Sequence, residues 1–192
     1  MRPGVPAVFI DRDGTLNEEV GYLCRPEDVV LIPGSREALA RLNARGIPVL
    51  VVTNQAGIGK GKYGWTDFQA VMDRIAGLLA EGGAHVDGVY AAPHHARGLG
   101  AYAHPDHPDR KPNPGMLLRA AEEHGVDLSR SWMVGDKALD LGAGRNAGCR
   151  VALVLTGYGR DVDPGLADLV AEDLGAAVDR ILADIDPSGG QP

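Results

Sequence analysis

Asp11 and Asp13 stand two residues apart, where the apolar run Val8-Phe9-Ile10 gives way to Asp11-Arg12-Asp13-Gly14-Thr15. Carboxylates at i and i+2 of an extended strand end project to the same side, and Gly14 allows the sharp turn that follows. One member of such a pair can attack an electrophile while the other gives a proton to the leaving group. Two more apolar runs end on useful groups: Val51-Val52 on Thr53-Asn54-Gln55, and Met133-Val134 on Gly135-Asp136, with Asp140 four residues on. Asp136 would help to hold a divalent cation that offsets the repulsion of the first two carboxylates, and hard oxygen donors imply Mg2+. Thr53 and Lys111 would bring a hydroxyl and a positive charge to an anion among these carboxylates, as a phosphoryl group requires.

Groups so distant in sequence must be gathered by a scaffold. Apolar runs over 6–10, 47–52, 87–91, 131–134 and 150–155 read as strands, several of them apolar on both faces as buried parallel strands must be. The intervening segments read as helices. Thr66-Asp67-Phe68-Gln69 reads as a capping box ahead of an apolar face that ends at Gly82. Pro114 opens another helix as its first-turn residue and Gly125 follows its end, a helix over 35–45 stops at Gly46, and the last helix covers about 173–184. Alternating strands and helices predict an α/β fold with a doubly wound, Rossmann-like parallel sheet. In such a sheet ligands bind beyond the carboxyl ends of the strands, where the polar groups above lie.

The 192 residues suit one domain, expected over 1–186, with a mobile tail over 187–192. No apolar run approaches the length of a membrane span, and Met1-Arg2-Pro3-Gly4 carries no apolar signal segment, so a cytoplasmic protein is expected. A net charge of −7 and nine aromatic residues exclude general nucleic-acid binding, which needs a basic surface and stacking platforms. Cys24 and Cys149 are too few for a disulfide framework or a cysteine zinc site.

Taken in order, Asp11-Arg12-Asp13-Gly14-Thr15, Thr53-Asn54-Gln55, Lys111-Pro112 and Gly135-Asp136-Lys137 resemble the four motifs of the haloacid dehalogenase superfamily. Asn17, Gly21-Tyr22, Asn54-Gln55 before Gly57, and Arg110-Lys111-Pro112 before Pro114-Gly115-Met116 resemble its D,D-heptose 1,7-bisphosphate phosphatase branch, which is related to histidinol-phosphate phosphatases. The resemblance implies that Asp11 is the nucleophile that forms an aspartyl-phosphate and that Asp13 is the general acid, then the base that activates water. It implies that Thr53 and Lys111 stabilise the transferring phosphoryl group. Mg2+ would be held by the Asp11 carboxylate, the Asp13 backbone carbonyl and Asp136, with Asp140 supporting the site. Glu19, Gly21, Tyr22, Asn54, Gln55 and Arg110 would meet the rest of the substrate.

Superfamily dehalogenases lack an aspartate at the place of Asp13, so its presence implies phosphate transfer. Phosphomutases share it but exclude water with a large cap, and the segments 16–30, 57–65 and 93–109 leave room only for small loop caps. The expected reaction is therefore hydrolysis of a small phosphorylated metabolite by a monomer, D-glycero-D-manno-heptose 1,7-bisphosphate losing its 7-phosphate or, alternatively, histidinol phosphate. A catalytically silent binding protein on the same fold is the alternative of another class.

The sequence departs from the branch at its structural zinc, normally held by three cysteines and a histidine. The matching places are Ala92, His94, His107 and Asp109. A metal-free loop is expected, with His94 and His107 the first ligands if zinc were bound. Gly59-Lys60-Gly61-Lys62-Tyr63-Gly64 matches a dinucleotide fingerprint in spelling, but the strand before it ends near Thr53, too far away for the tight turn that fingerprint needs.

Overall fold

The structure is a computed structural model that describes residues 4–185. The expected mobile tail over 187–192 lies outside these residues. Strands β1 (Val8–Ile10), β2 (Val49–Asn54), β3 (Gly88–Ala92), β4 (Trp132–Gly135), β5 (Arg150–Val154) and β6 (Leu169–Ala171) form one sheet in the order β3-β2-β1-β4-β5-β6. Every pairing is parallel, with Ile10 in register with Val51 on one side and Val134 on the other. The chain winds outward from β1 to β3 and then returns to place β4 against β1, so the strand order reverses beside the carboxyl end of β1. A crevice opens at such a reversal.

Both faces of the sheet are covered, as continuous apolar strands require. Val8, Ile10, Val49, Val51, Trp132 and Val134 point to a core shared with helices α1 (Ser35–Ala44), α3 (Trp65–Ala80) and α6 (Leu174–Ile185). Phe9, Leu50, Val52 and Met133 alternate to the other face, against α4 (Gly115–His124) and α5 (Ala138–Ala147). A one-turn helix, α2 (Ala56–Gly59), follows β2 directly.

Three local readings are corrected. Helix α3 starts one residue before Thr66: Asp67, not Gln69, reaches back, its Oδ2 accepting the Gly64 N–H at 2.8 Å. Pro114 is the N-cap of α4 rather than its first helical residue, whereas Gly125 ends that helix in the left-handed region as expected. Strand β6 was not anticipated, because it has only three residues, one of them half-buried.

Candidate active site

Asp11 is the first residue beyond β1, and its N–H donates to Val134 O at 2.9 Å, which ties it to the end of β4. Thr53 is the last residue but one of β2, while Lys111 reaches in from the loop ahead of α4. Asn54 sets that reach: its Oδ1 accepts the Lys111 N–H at 3.0 Å and its Nδ2 donates to Lys111 O at 3.1 Å. The Lys111 ammonium uses all three protons, lying 2.7 Å from Asp11 Oδ1 and 2.6 Å from Asp140 Oδ1 and donating to Val52 O at 2.8 Å. Burial alone would lower the Lys111 pKa, but the two carboxylates outweigh it and raise it. For Asp11 the balance is reversed: burial and the Asp140 charge outweigh Lys111 and push the carboxyl up to about 7.

Asp13 is treated differently by its surroundings. Arg12, itself buried, donates to both of its oxygens, Nε to Oδ1 at 3.0 Å and Nη2 to Oδ2 at 2.8 Å. Asn17 Nδ2 adds a bond to Oδ1 at 3.1 Å and Gln55 Nε2 one to Oδ2 at 3.0 Å. Burial would raise this carboxyl, but Arg12 and the two amides hold it below its ordinary value. Gln55 also donates to Thr53 Oγ1 at 2.8 Å and accepts from Arg12 and the Tyr63 hydroxyl, so it joins the Asp13 and Thr53 side chains into one network.

Asp136 lies behind this pair, wholly buried. Gly14 and Gly157, both with positive φ, come so close to its Oδ2 that a Cβ on either would overlap it, and Tyr158 N–H donates to the same oxygen at 2.9 Å. Oδ1 of Asp136 is buried and makes no hydrogen bond, facing only the Lys137 ammonium at 3.5 Å, and burial outweighs that charge and raises its pKa. A buried carboxylate oxygen short of hydrogen bonds is costly and suits a cation. Among the described residues, Asp11, Asp136 and Asp140 offer oxygens that all lie within 4.8 Å of one another. Asp140 is already engaged by Lys111 and by the Lys137 N–H at 3.0 Å. The oxygens left for a hard cation are therefore those of Asp11 and Asp136, with the Asp13 carbonyl beside them, where Lys137 Nζ donates at 3.3 Å. This donor set fits Mg2+.

Every residue predicted to act in catalysis or to bind substrate lines one cleft of about 250 Å3: Asp11, Asp13, Thr53 and Lys111 at its floor, with Glu19, Gly21, Tyr22, Asn54, Gln55 and Arg110 around them. Within it, Glu19 Oε2 pairs with Lys137 at 3.0 Å and its Oε1 accepts the Gly21 N–H at 2.8 Å. Gln55 Nε2 spends both of its protons on Asp13 and Thr53 and Asn54 Nδ2 spends one of its two on Lys111 O, so both amides also position other groups of the cleft they line. The sequence reading missed Arg12, Lys60, Tyr63 and His95. Arg12 alone carried a signal, an arginine spliced between two carboxylates at a buried strand end.

In the loop after β3 the His94 and His107 rings are stacked face to face, centroids 3.4 Å apart and planes within 5°. Burial and His107 lower the His94 pKa. Arg110 Nη1 donates to His94 O at 2.8 Å, so this loop also orients Arg110.

The chain is similar to known proteins in sequence and in fold. The HAD-hydrolase-like family model matches residues 109–177. A D-glycero-beta-D-manno-heptose-1,7-bisphosphate 7-phosphatase of Mesorhizobium japonicum is 48% identical over 165 residues, 86% of this chain and 76% of the relative. A D-glycero-D-manno-heptose-1,7-bisphosphate 7-phosphatase of Thermosynechococcus vestitus is 46% identical over 193 residues, 95% and 98% of the two chains. The crystal structure of D,D-heptose 1,7-bisphosphate phosphatase from B. bronchiseptica, complexed with magnesium and phosphate, superposes with a TM-score of 0.83 at 33% identity, covering 94% of this chain and 99% of that one.

Proposed function

Since the chain belongs to the haloacid dehalogenase-like heptose-1,7-bisphosphate phosphatases, we propose that it removes the 7-phosphate of D-glycero-D-manno-heptose 1,7-bisphosphate by way of a phosphorylated Asp11. The observation that carries the reading is the floor of the cleft, where the buried Asp11, the saturated Lys111 and a buried Asp136 oxygen that makes no hydrogen bond meet beside a second aspartate.

In the first step an oxygen of Asp11 bonds to the phosphorus as the bond from phosphorus to the sugar oxygen breaks, and the leaving oxygen takes a proton from Asp13. In the second, water gives a proton to Asp13 and attacks the same phosphorus, releasing inorganic phosphate and restoring the Asp11 carboxylate. Lys111 and the Thr53 hydroxyl face the transferring oxygens and offset their charge. Asn54 fixes Lys111, and Gln55 spaces Asp13 from Thr53. Asp11, Asp136 and the Asp13 carbonyl would hold Mg2+, which supplies positive charge against the phosphoryl oxygens and the clustered carboxylates. For Asp13 to act as an acid it must first gain a proton, which Arg12 opposes; the negative charge of an arriving phosphate works in the other direction.

Residues 1–186 act as one catalytic domain in this reading. Small caps leave the cleft open to water, which favours hydrolysis over transfer to a second sugar. A cytoplasmic monomer serving lipopolysaccharide or another heptose-containing surface glycan completes the proposal; among the described residues no helix is long and apolar enough to cross a membrane. The stacked pair His94 and His107 is read as a metal-free clamp, so purified protein should carry zinc well below one atom per chain by elemental analysis.

The test is Mg2+-dependent phosphate release from both anomers of the heptose bisphosphate, histidinol phosphate, fructose 1,6-bisphosphate and simple sugar monophosphates, compared by kcat/KM. A heptose bisphosphate should lead by at least about tenfold. A lead by histidinol phosphate would replace the substrate and keep the chemistry, and no release from any compound would favour a silent binding protein.

A further inference from the structure

Thr53 lines the cleft with a hydroxyl whose oxygen is already an acceptor, taking a proton of Gln55 Nε2 at 2.8 Å. Among the described residues the hydroxyl donates its own proton to nothing. A hydroxyl has one proton to give, so its direction is decided by which end of the Gln55 amide meets it. With the NH2 group turned to the Thr53 oxygen, the hydroxyl proton must point away from Gln55. With the amide reversed, the carbonyl oxygen of Gln55 would take that proton for itself.

The amide is held the first way round from its far end. Arg12 Nη2, which can only donate, lies 3.3 Å from Gln55 Oε1, and the Tyr63 hydroxyl donates to the same oxygen. The Arg12 contact is long for a hydrogen bond, and both oxygens of Asp13 engage this guanidinium more closely, at 3.0 and 2.8 Å. Tyr63 is left as the group dedicated to the amide oxygen, since its hydroxyl makes no other hydrogen bond among the described residues. Burial pushes its pKa up to about 12, so it keeps the proton it donates.

The loop that carries Tyr63 is built to set the ring there. The Gly57 carbonyl accepts the Lys62 N–H at 2.9 Å, and Gly61, with φ of +67°, turns the chain back over α2. A Cβ on Gly57 would overlap both the Tyr63 and the Tyr22 rings, so the absence of a side chain at 57 is what lets the phenol reach Gln55. The hydroxyl thus joins a half-buried loop residue to the buried floor through one amide.

We propose that Tyr63 is a positioning residue for phosphoryl transfer: by holding the Gln55 amide it directs the Thr53 hydroxyl proton into the cleft, toward an oxygen of the transferring group. The inference rests on the phosphatase reading above and adds a residue to it. Tyr63 touches no reacting atom in this role. A donor already aimed at developing charge needs no reorientation as the reaction proceeds, whereas one free to turn back to Gln55 would.

Tyr63→Phe keeps the ring over Gly57 and removes only the hydroxyl. With heptose 1,7-bisphosphate as substrate, its kcat should fall by about tenfold while KM stays within about twofold of wild type. Thr53→Ala leaves no hydroxyl to direct, so adding Tyr63→Phe to it should lower kcat by less than about twofold more. Thr53→Ser keeps a hydroxyl and should keep the full sensitivity to Tyr63→Phe. As a readout without turnover, orthovanadate, which can take the five-coordinate geometry of the transferring phosphoryl group, should inhibit Tyr63→Phe about tenfold less tightly than wild type. A kcat unchanged in Tyr63→Phe overturns the inference and leaves the phosphatase reading intact. So does a Tyr63→Phe loss that persists in full in the Thr53→Ala background, or vanadate inhibition equal in the two proteins. No phosphate release by wild type, by contrast, removes the phosphatase reading and the role of Tyr63 together.

Discussion

Asp11 and Asp13 share one turn of chain, yet their surroundings push their proton affinities apart. Asp11 is buried next to Asp140 and rises to about 7, while Asp13 receives four hydrogen bonds and falls below its usual value. Pairs separated in this way can divide nucleophile and acid-base roles. Arg12 is the main force on Asp13 that opposes burial, and no carboxylate other than Asp13 pairs with it among the described residues. Arg12→Met should therefore raise the Asp13 pKa. Because Asp13 must be protonated in the step that sets kcat/KM, the alkaline limb of that profile should move to higher pH. An unmoved limb would show that Arg12 does not control Asp13. The identity of these aspartates was legible from spacing and from the residues that end the apolar runs. Their opposed environments were not, because Asn17, Gln55 and Arg12 act through side-chain geometry that no spacing encodes. Lys60 and His95 were invisible for a related reason: each sits in a loop held by the Leu99 N–H to Gly59 carbonyl bond and the Arg110 to His94 carbonyl bond.

Among the elements, β1, β2 and β4 could be read directly, since strands buried on both faces show as unbroken apolar runs. The edge could not. β6 pairs with β5 at Ala152, Leu153 and Val154, and Asp168 just ahead of it supplies what its three residues lack. Asp168 Oδ2 accepts the Val151 N–H at 2.8 Å and Oδ1 pairs with Arg145 at 2.8 Å. Burial would raise this carboxyl, but the Val151 N–H and Arg145 hold it below the ordinary value of 3.8. A lowered carboxyl pKa contributes stability above the unfolded value, and that contribution is lost as pH falls through the folded one. Asp168→Ala should cost about 1–2 kcal/mol at neutral pH in urea unfolding. The gap to wild type should narrow as pH drops below 3.8; a gap undiminished at about pH 3 would mean that the charge of Asp168 contributes nothing. The helix starts were misplaced by one or two residues for a similar reason. The N-caps Gly64 and Pro114 offer no side-chain cap of their own, Gly64 being held through its N–H by Asp67, whereas Thr66 is the better cap by residue type.

At the scale of the molecule, the doubly wound sheet brings four sequence-distant segments to one crevice. The acidic chain spends most of its positive charge there on pairing its own carboxylates. The crevice thereby has a floor built for phosphoryl transfer. The central claim is that this floor cleaves one defined phosphate through Asp11, and phosphorus NMR of the heptose 1,7-bisphosphate mixed with wild type and Asp11→Asn reads it directly. With wild type and Mg2+, the 7-phosphate signal should give way to inorganic phosphate while the 1-phosphate signal persists; chelation should stop the reaction, and Asp11→Asn, still folded by circular dichroism, should leave both signals unchanged. Release of the 1-phosphate, or release by Asp11→Asn at the wild-type rate, would contradict the account.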